Sequence, residues 1–108
     1  MVDQHKFQLV IQFAATTYGD WEGLMALLDA VTLDLSEHEE AVVDGYDFGQ
    51  GEYNIFIHTN EPLSLFPLAK ASVEKHRPDL TYLAGYRDFD KDEYTPIFPP
   101  DLKSFKII

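Results

Sequence analysis

The stretch Ala41–Thr59, AVVDGYDFGQGEYNIFIHT, decides how the rest of the chain is read. Gly49-Gln50-Gly51 interrupts it, and two glycines supply the positive φ that a short hairpin turn demands. Before the turn, Val42, Tyr46 and Phe48 share one side, with Asp44 among them. After it, Tyr53, Ile55 and Ile57 share one side, and Asn54, Phe56 and His58 the other. Both arms carry bulk on at least one side, which predicts a hairpin set inside a larger sheet.

Upstream, Lys6–Ala14 (KFQLVIQFA) alternates as a half-buried strand does: Phe7, Leu9, Ile11 and Phe13 face one way, Gln8, Val10 and Gln12 the other. Asp20 reads as the N-cap of a helix from Trp21 to Thr32, because its carboxylate can accept from the free amides of a first turn. Trp21, Leu24, Leu27, Leu28 and Val31 recur at helical spacing. Asp34–Glu40 (DLSEHEE) reads as an acidic loop.

Downstream, Asn60-Glu61-Pro62 signals a helix start, with Ser64 as a second candidate cap. Pro67 inside a helix would lose a backbone bond and clash with the preceding turn, at about 3 kcal/mol. Capping at Ser64 avoids that cost and predicts a helix over Leu65–His76, ended by Arg77-Pro78. Leu80–Asp88 (LTYLAGYRD) is a further strand, and Tyr94–Phe98 a short one that Pro96 confines to an edge. Phe105, Ile107 and Ile108 give the tail enough bulk to dock.

The order strand, helix, hairpin, helix, strand over residues 6–88 resembles the ferredoxin-like split βαβ arrangement. That resemblance implies an α+β fold with an antiparallel sheet and two helices on one face; at 108 residues the chain is read as one domain over residues 1–108, its last twenty residues adding a short edge strand and a tail. The second face is left open by the helices, so closure by the tail or by a second copy is expected.

Charge is unevenly placed. The formal net charge is −11, yet no Lys or Arg lies between Phe7 and Ala69, where eleven acids stand. The other eight acids match the eight bases. Such a field repels phosphate backbones and anionic membranes and favours a cationic partner; it also serves solubility. A chain without cysteine has no disulfide, thiol nucleophile or cysteine-held metal. With neither a long apolar run nor a recognisable leader, a cytoplasmic location is expected.

Few residues point to chemistry. Asp88, Asp90 and Asp92 resemble the start of an EF-hand loop, but Glu93 stands where glycine is needed and Pro99 where the bidentate glutamate is needed. No two histidines have ligand spacing, and no nucleophile or phosphate-loop pattern occurs. No metal or cofactor is expected.

Two functions remain. The first is an interaction module that binds a basic protein partner through Asp44, Asp47 and Glu52, with Tyr46, Phe48 and Tyr53 as aromatic anchors and help from the Asp34–Glu40 acids. In size, acidity and simplicity it is similar to bacterial immunity proteins that neutralise toxins. The second is a dimeric small-molecule enzyme or ligand-binding domain on the open sheet face, using His58, Asn54, Arg87 and Tyr86 in a pocket.

Overall fold

The computed structural model describes residues 5–14, 18–39, 41–49 and 51–107. Its elements are β1 (Phe7–Ala14), α1 (Tyr18–Leu35), β2 (Ala41–Gly49), β3 (Glu52–Thr59), α2 (Pro62–His76), β4 (Tyr82–Asp88) and β5 (Thr95–Phe98). The five strands form one sheet in the order β2-β3-β1-β4-β5, and every neighbouring pair is antiparallel. This is the ferredoxin-like topology with β5 added beyond β4. Gln50, residues 15–17 of the first connection, Glu40 and Ile108 lie outside the described residues.

Strand alternation builds the core. Leu9, Ile11 and Phe13 of β1 stand opposite Ile57, Ile55 and Tyr53 of β3, and opposite Tyr86, Ala84 and Tyr82 of β4. Leu24, Leu27, Leu28, Val31 and Leu35 of α1 pack on that face with Leu65, Phe66, Ala69 and Val73 of α2. Leu9, Ile11, Val31, Ile55, Ile57 and Val73 are wholly buried. Each such side chain contributes roughly 1.5–3 kcal/mol of transfer free energy, so this two-layer contact dominates stability.

Three local expectations are corrected. Helix α1 begins at Tyr18 and continues to Leu35, so Asp20 lies inside its first turn and Asp34 and Leu35 are helical. The apolar spacing continues one turn further than Val31, and the buried Leu35 holds that turn against the core.

Helix α2 begins at Pro62, not Leu65, and Pro67 sits in its second turn. The Leu65 amide donates to the Glu61 carbonyl at 2.8 Å, closing the first helical turn. Proline suits the first helical position because its missing N–H has no partner there anyway. Pro67 is exposed, as is Leu63, whose carbonyl loses a donor, so the gap falls on the side that water can hydrate.

The third correction is a β-bulge. Val43 pairs with Ile57 and Gly45 with Phe56, leaving Asp44 as the extra residue of β2. Gly45 carries φ of 150°, which L side chains rarely adopt. The bulge breaks the simple alternation. Val43, Tyr46 and Phe48 share the helix-side register with Ile57, Ile55 and Tyr53, whereas Val42 and Asp47 align with His58 and Asn54 on the opposite face.

The β4 and β1 part of that opposite face is covered by the chain's own end. Phe105 is buried, and a Cβ on Gly85 would meet its ring at 2.6 Å. Only a glycine in β4 leaves room for this ring. The Lys106 carbonyl accepts from Gln12 Nε2 at 2.9 Å. The bulky tail therefore docks, on the face that the helices leave open.

Candidate functional site

Two polar rows cross the tail-covered face. In the first, Arg87, Gln8, His58 and Val42 stand side by side on β4, β1, β3 and β2. Gln8 Oε1 accepts from Tyr94 Oη at 2.8 Å and from Arg87 Nε at 3.4 Å. Arg87 Nη1 donates to the Lys91 carbonyl at 3.0 Å. Its guanidinium lies 5.3 Å from the Phe89 ring centre and 5.8 Å from that of Tyr94. Phe89 in turn sets its ring 4.9 Å from His58, nearly perpendicular. The segment after β4 thus folds back over the row, pinned by the Phe89 amide donating to the Lys6 carbonyl at 2.9 Å.

In the second row, Leu83, Gln12, Asn54 and Asp47 align. Gln12 Nε2 lies 3.2 Å from Glu52 Oε1 and 3.1 Å from Asn54 Oδ1, besides its bond to Lys106. Asn54 Nδ2 donates to Glu52 Oε1 at 3.3 Å. Both side-chain amides thus meet Glu52 Oε1, and the residue is only 8% exposed.

The four residues expected to share a pocket do not converge. His58 and Asn54 are four residues apart on one strand, roughly 13 Å at strand rise. Asn54 is wholly buried. Tyr86 faces the helices, with its ring edge-on to Phe7 at 5.9 Å, because strand alternation sends it opposite to Arg87. Arg87 also cannot pair with Asp44 or Asp47, since β1 and β3 stand between β4 and β2. A cavity of about 470 Å³ lies elsewhere, between the tail and the start of β5, with Glu93, Tyr94, Lys103 and Phe105 in its wall. A second, of about 260 Å³, lies at the sheet end beside Gln12, Glu52 and Tyr82. Neither is lined by His58, Arg87 or Tyr86.

The six residues expected to meet a partner divide by strand. Asp44, Tyr46 and Asp47 of the edge strand β2 are exposed, and Phe48 is half-buried. Glu52 and Tyr53 of β3 are buried, because β3 is flanked by strands on both sides. These two are therefore not surface contacts. Tyr53 supports the surface from beneath: Tyr46 stacks on it at 5.5 Å and 8°, and Phe48 meets it edge-on at 6.1 Å. Burial, above all, pushes the Tyr53 hydroxyl well above the usual tyrosine range.

The remaining acids differ in their commitments. Asp34 accepts from Ser72 Oγ at 2.7 Å and lies 2.9 Å from His76 Nε2, tying α1 to α2. Those bonds, Ser72 first, hold its carboxyl below the usual aspartate range. Glu74 is lowered by Lys70 and then by the Tyr82 hydroxyl, and Asp79 by Arg77. Asp34, Glu74 and Asp79 are thus each held by side chains of their own chain. Glu37 and Glu39 are exposed in the loop before β2. Asp44 Oδ2 lies 3.5 Å from His58 Nε2 yet keeps its side chain 56% exposed.

The aspartates of the partial calcium-loop pattern make a turn: the Asp90 amide donates to Asp88 Oδ1 at 2.8 Å. Among the described residues, no three His, Asp or Glu side chains gather as a metal site. No helix among them is long and apolar enough to cross a membrane. Comparison with protein-family models, with curated proteins and with solved structures gave no match.

Proposed function

We propose that the protein is an interaction module that binds a basic protein partner, in the manner of an immunity or inhibitor protein, through the β2 side of the sheet. The observation that carries this reading is the contrast in how acids are used. Asp34, Glu74 and Asp79 are held at 3.0 Å or less by hydroxyls or cations of their own chain, while Asp44, 3.5 Å from His58 yet 56% exposed, and the exposed Asp47 stand on an edge strand that also carries the exposed Tyr46. Glu37 and Glu39 extend the same sign along the loop into β2, and no Lys or Arg occurs between Phe7 and Ala69 to offset it. Charge of one sign around a partly exposed aromatic suits a site where electrostatics sets approach and register, and ring contact supplies affinity.

The test is capture of partners by the tagged protein over a salt series. A partner held at this site dissociates as ionic strength rises, because exposed charges are screened over about 10 Å at 0.1 M salt. Replacing Asp44 and Asp47 by lysine abolishes its capture at low salt. Undiminished capture by that variant would remove this site from consideration.

A further inference from the structure

We infer that the partner engages by strand addition: an extended basic segment pairs with the free edge of β2 and carries two basic residues two positions apart. This rests on the proposed function and specifies its mode. Strand β2 is nine residues long, ends the sheet, and pairs with β3 on one side only. Its outward backbone groups form a ready template for another strand. By contrast, the edge strand at the other end has four residues and includes Pro96, which has no amide to donate.

The bulge sets the spacing. Asp44 reaches toward His58 and Asp47 aligns with Asn54, so both acids lie on the same side of the sheet although three residues apart. The extra residue of the bulge compresses that interval to two positions on a regular neighbouring strand, as on β3 itself, where Phe56 and Asn54 face Gly45 and Asp47. A partner strand with basic side chains at alternate positions meets both carboxylates from one face. Its intervening side chain falls beside Tyr46 on the other.

Charge also selects against a second copy. An antiparallel pairing of two β2 edges, centred between Gly45 and Tyr46, places Asp44 opposite Asp47 of the other chain, twice. Like charges set opposite each other in a sheet are destabilising. A basic strand is favoured by the same two residues that disfavour self-pairing.

The test uses two synthetic peptides of alternating lysine and valine. They are identical except that one is N-methylated at alternate amides, which keeps the charge and removes the donors. Titration at low salt is read by affinity, and by amide exchange along residues 41–49. Strand addition predicts that the unmodified peptide binds at least ~10-fold tighter, a difference of about 1.4 kcal/mol, and slows exchange in β2. Asp44→Asn with Asp47→Asn, which leaves the fold signal by circular dichroism unchanged, weakens it.

Equal binding of both peptides that weakens with salt would overturn strand addition and leave the acidic site standing. No salt-sensitive binding of either peptide would overturn both. Concentration-dependent protection of β2 without peptide would show a second copy as the occupant and would also overturn the inference.

Discussion

The two edges of the sheet are built from the same element type and treated in opposite ways. At the β4–β5 edge, β5 has four residues with Pro96 among them, and the following chain turns back to seat Phe105 on Gly85. Arg87, the only arginine in a strand among the described residues, is used there, held by Gln8, Phe89, Tyr94 and the Lys91 carbonyl. At the β2 edge, nine residues run to the margin of the sheet with Asp44 and Asp47 exposed and Tyr46 stacked flat on buried Tyr53. One edge is committed to stability. The other leaves Asp44 and Asp47 exposed, and its aromatic Tyr46 stacks on buried Tyr53. The contrast teaches that the face the helices leave open is unevenly used: the terminus covers it over Gly85 and Gln12, while Asp47 and Val42 stay exposed at its β2 margin.

The contrast can be broken first through stability. Phe105→Ala removes a buried ring and leaves a space over β4, which costs about 3 kcal/mol by chemical denaturation. It also speeds proteolysis of the tail. Gly85→Ala tests the same seat from below: its Cβ would lie 2.6 Å from the Phe105 ring, so the ring must move, at about 1–3 kcal/mol. On the other margin, Tyr46→Ala costs about 1 kcal/mol, mainly its stacking on Tyr53. A loss at Tyr46 as large as that at Phe105 would mean that β2 is also a structural edge.

A smaller effect sharpens the division among the acids. The folded-state pKa of Asp34 is depressed, so its bonds to Ser72 and His76 stabilise the fold above the unfolded aspartate value of about 3.9 and are lost as pH falls through the lower folded value. The stability difference between the native chain and Asp34→Asn is therefore largest near neutral pH and shrinks below that window. Glu74→Gln, whose carboxyl Lys70 and the Tyr82 hydroxyl likewise hold below its usual range, shows a gap of the same sign. No gap at either residue would contradict the account of these acids.

Much of the fold was legible in the sequence because strand alternation and helical spacing are direct records of which side is buried. The chain order, the hairpin, the edge character of the fifth strand and the docking of the tail all follow from such patterns. What was not legible has identifiable causes. Periodicity counts residues evenly, so the bulge at Asp44 broke the parity reading of β2, and Gly45 inside a strand was the one signal of it. Helix α2 tolerates Pro67 because its unpaired carbonyl faces water, which no local propensity reports.

The proposed site was legible in part. The acids of β2 were identifiable as a group, but the order of the strands decided which hairpin arm is exposed. Glu52 and Tyr53 belong to an interior strand for that reason. Phe89 and Tyr94, which cover His58 and Arg87, were hidden because packing between a turn and a distant strand leaves no periodic trace.

The central claim is that binding lives at the β2 edge and not in the acidity of the molecule as a whole. The most direct measurement compares two variants of equal charge change, Asp44→Lys with Asp47→Lys and Asp90→Lys with Asp92→Lys, for low-salt binding of a captured partner or of the lysine–valine peptide. The account predicts that the first pair abolishes binding while the second leaves it within about threefold, a difference near 0.7 kcal/mol. Equal loss in both variants would contradict it, because net charge alone would then explain the association.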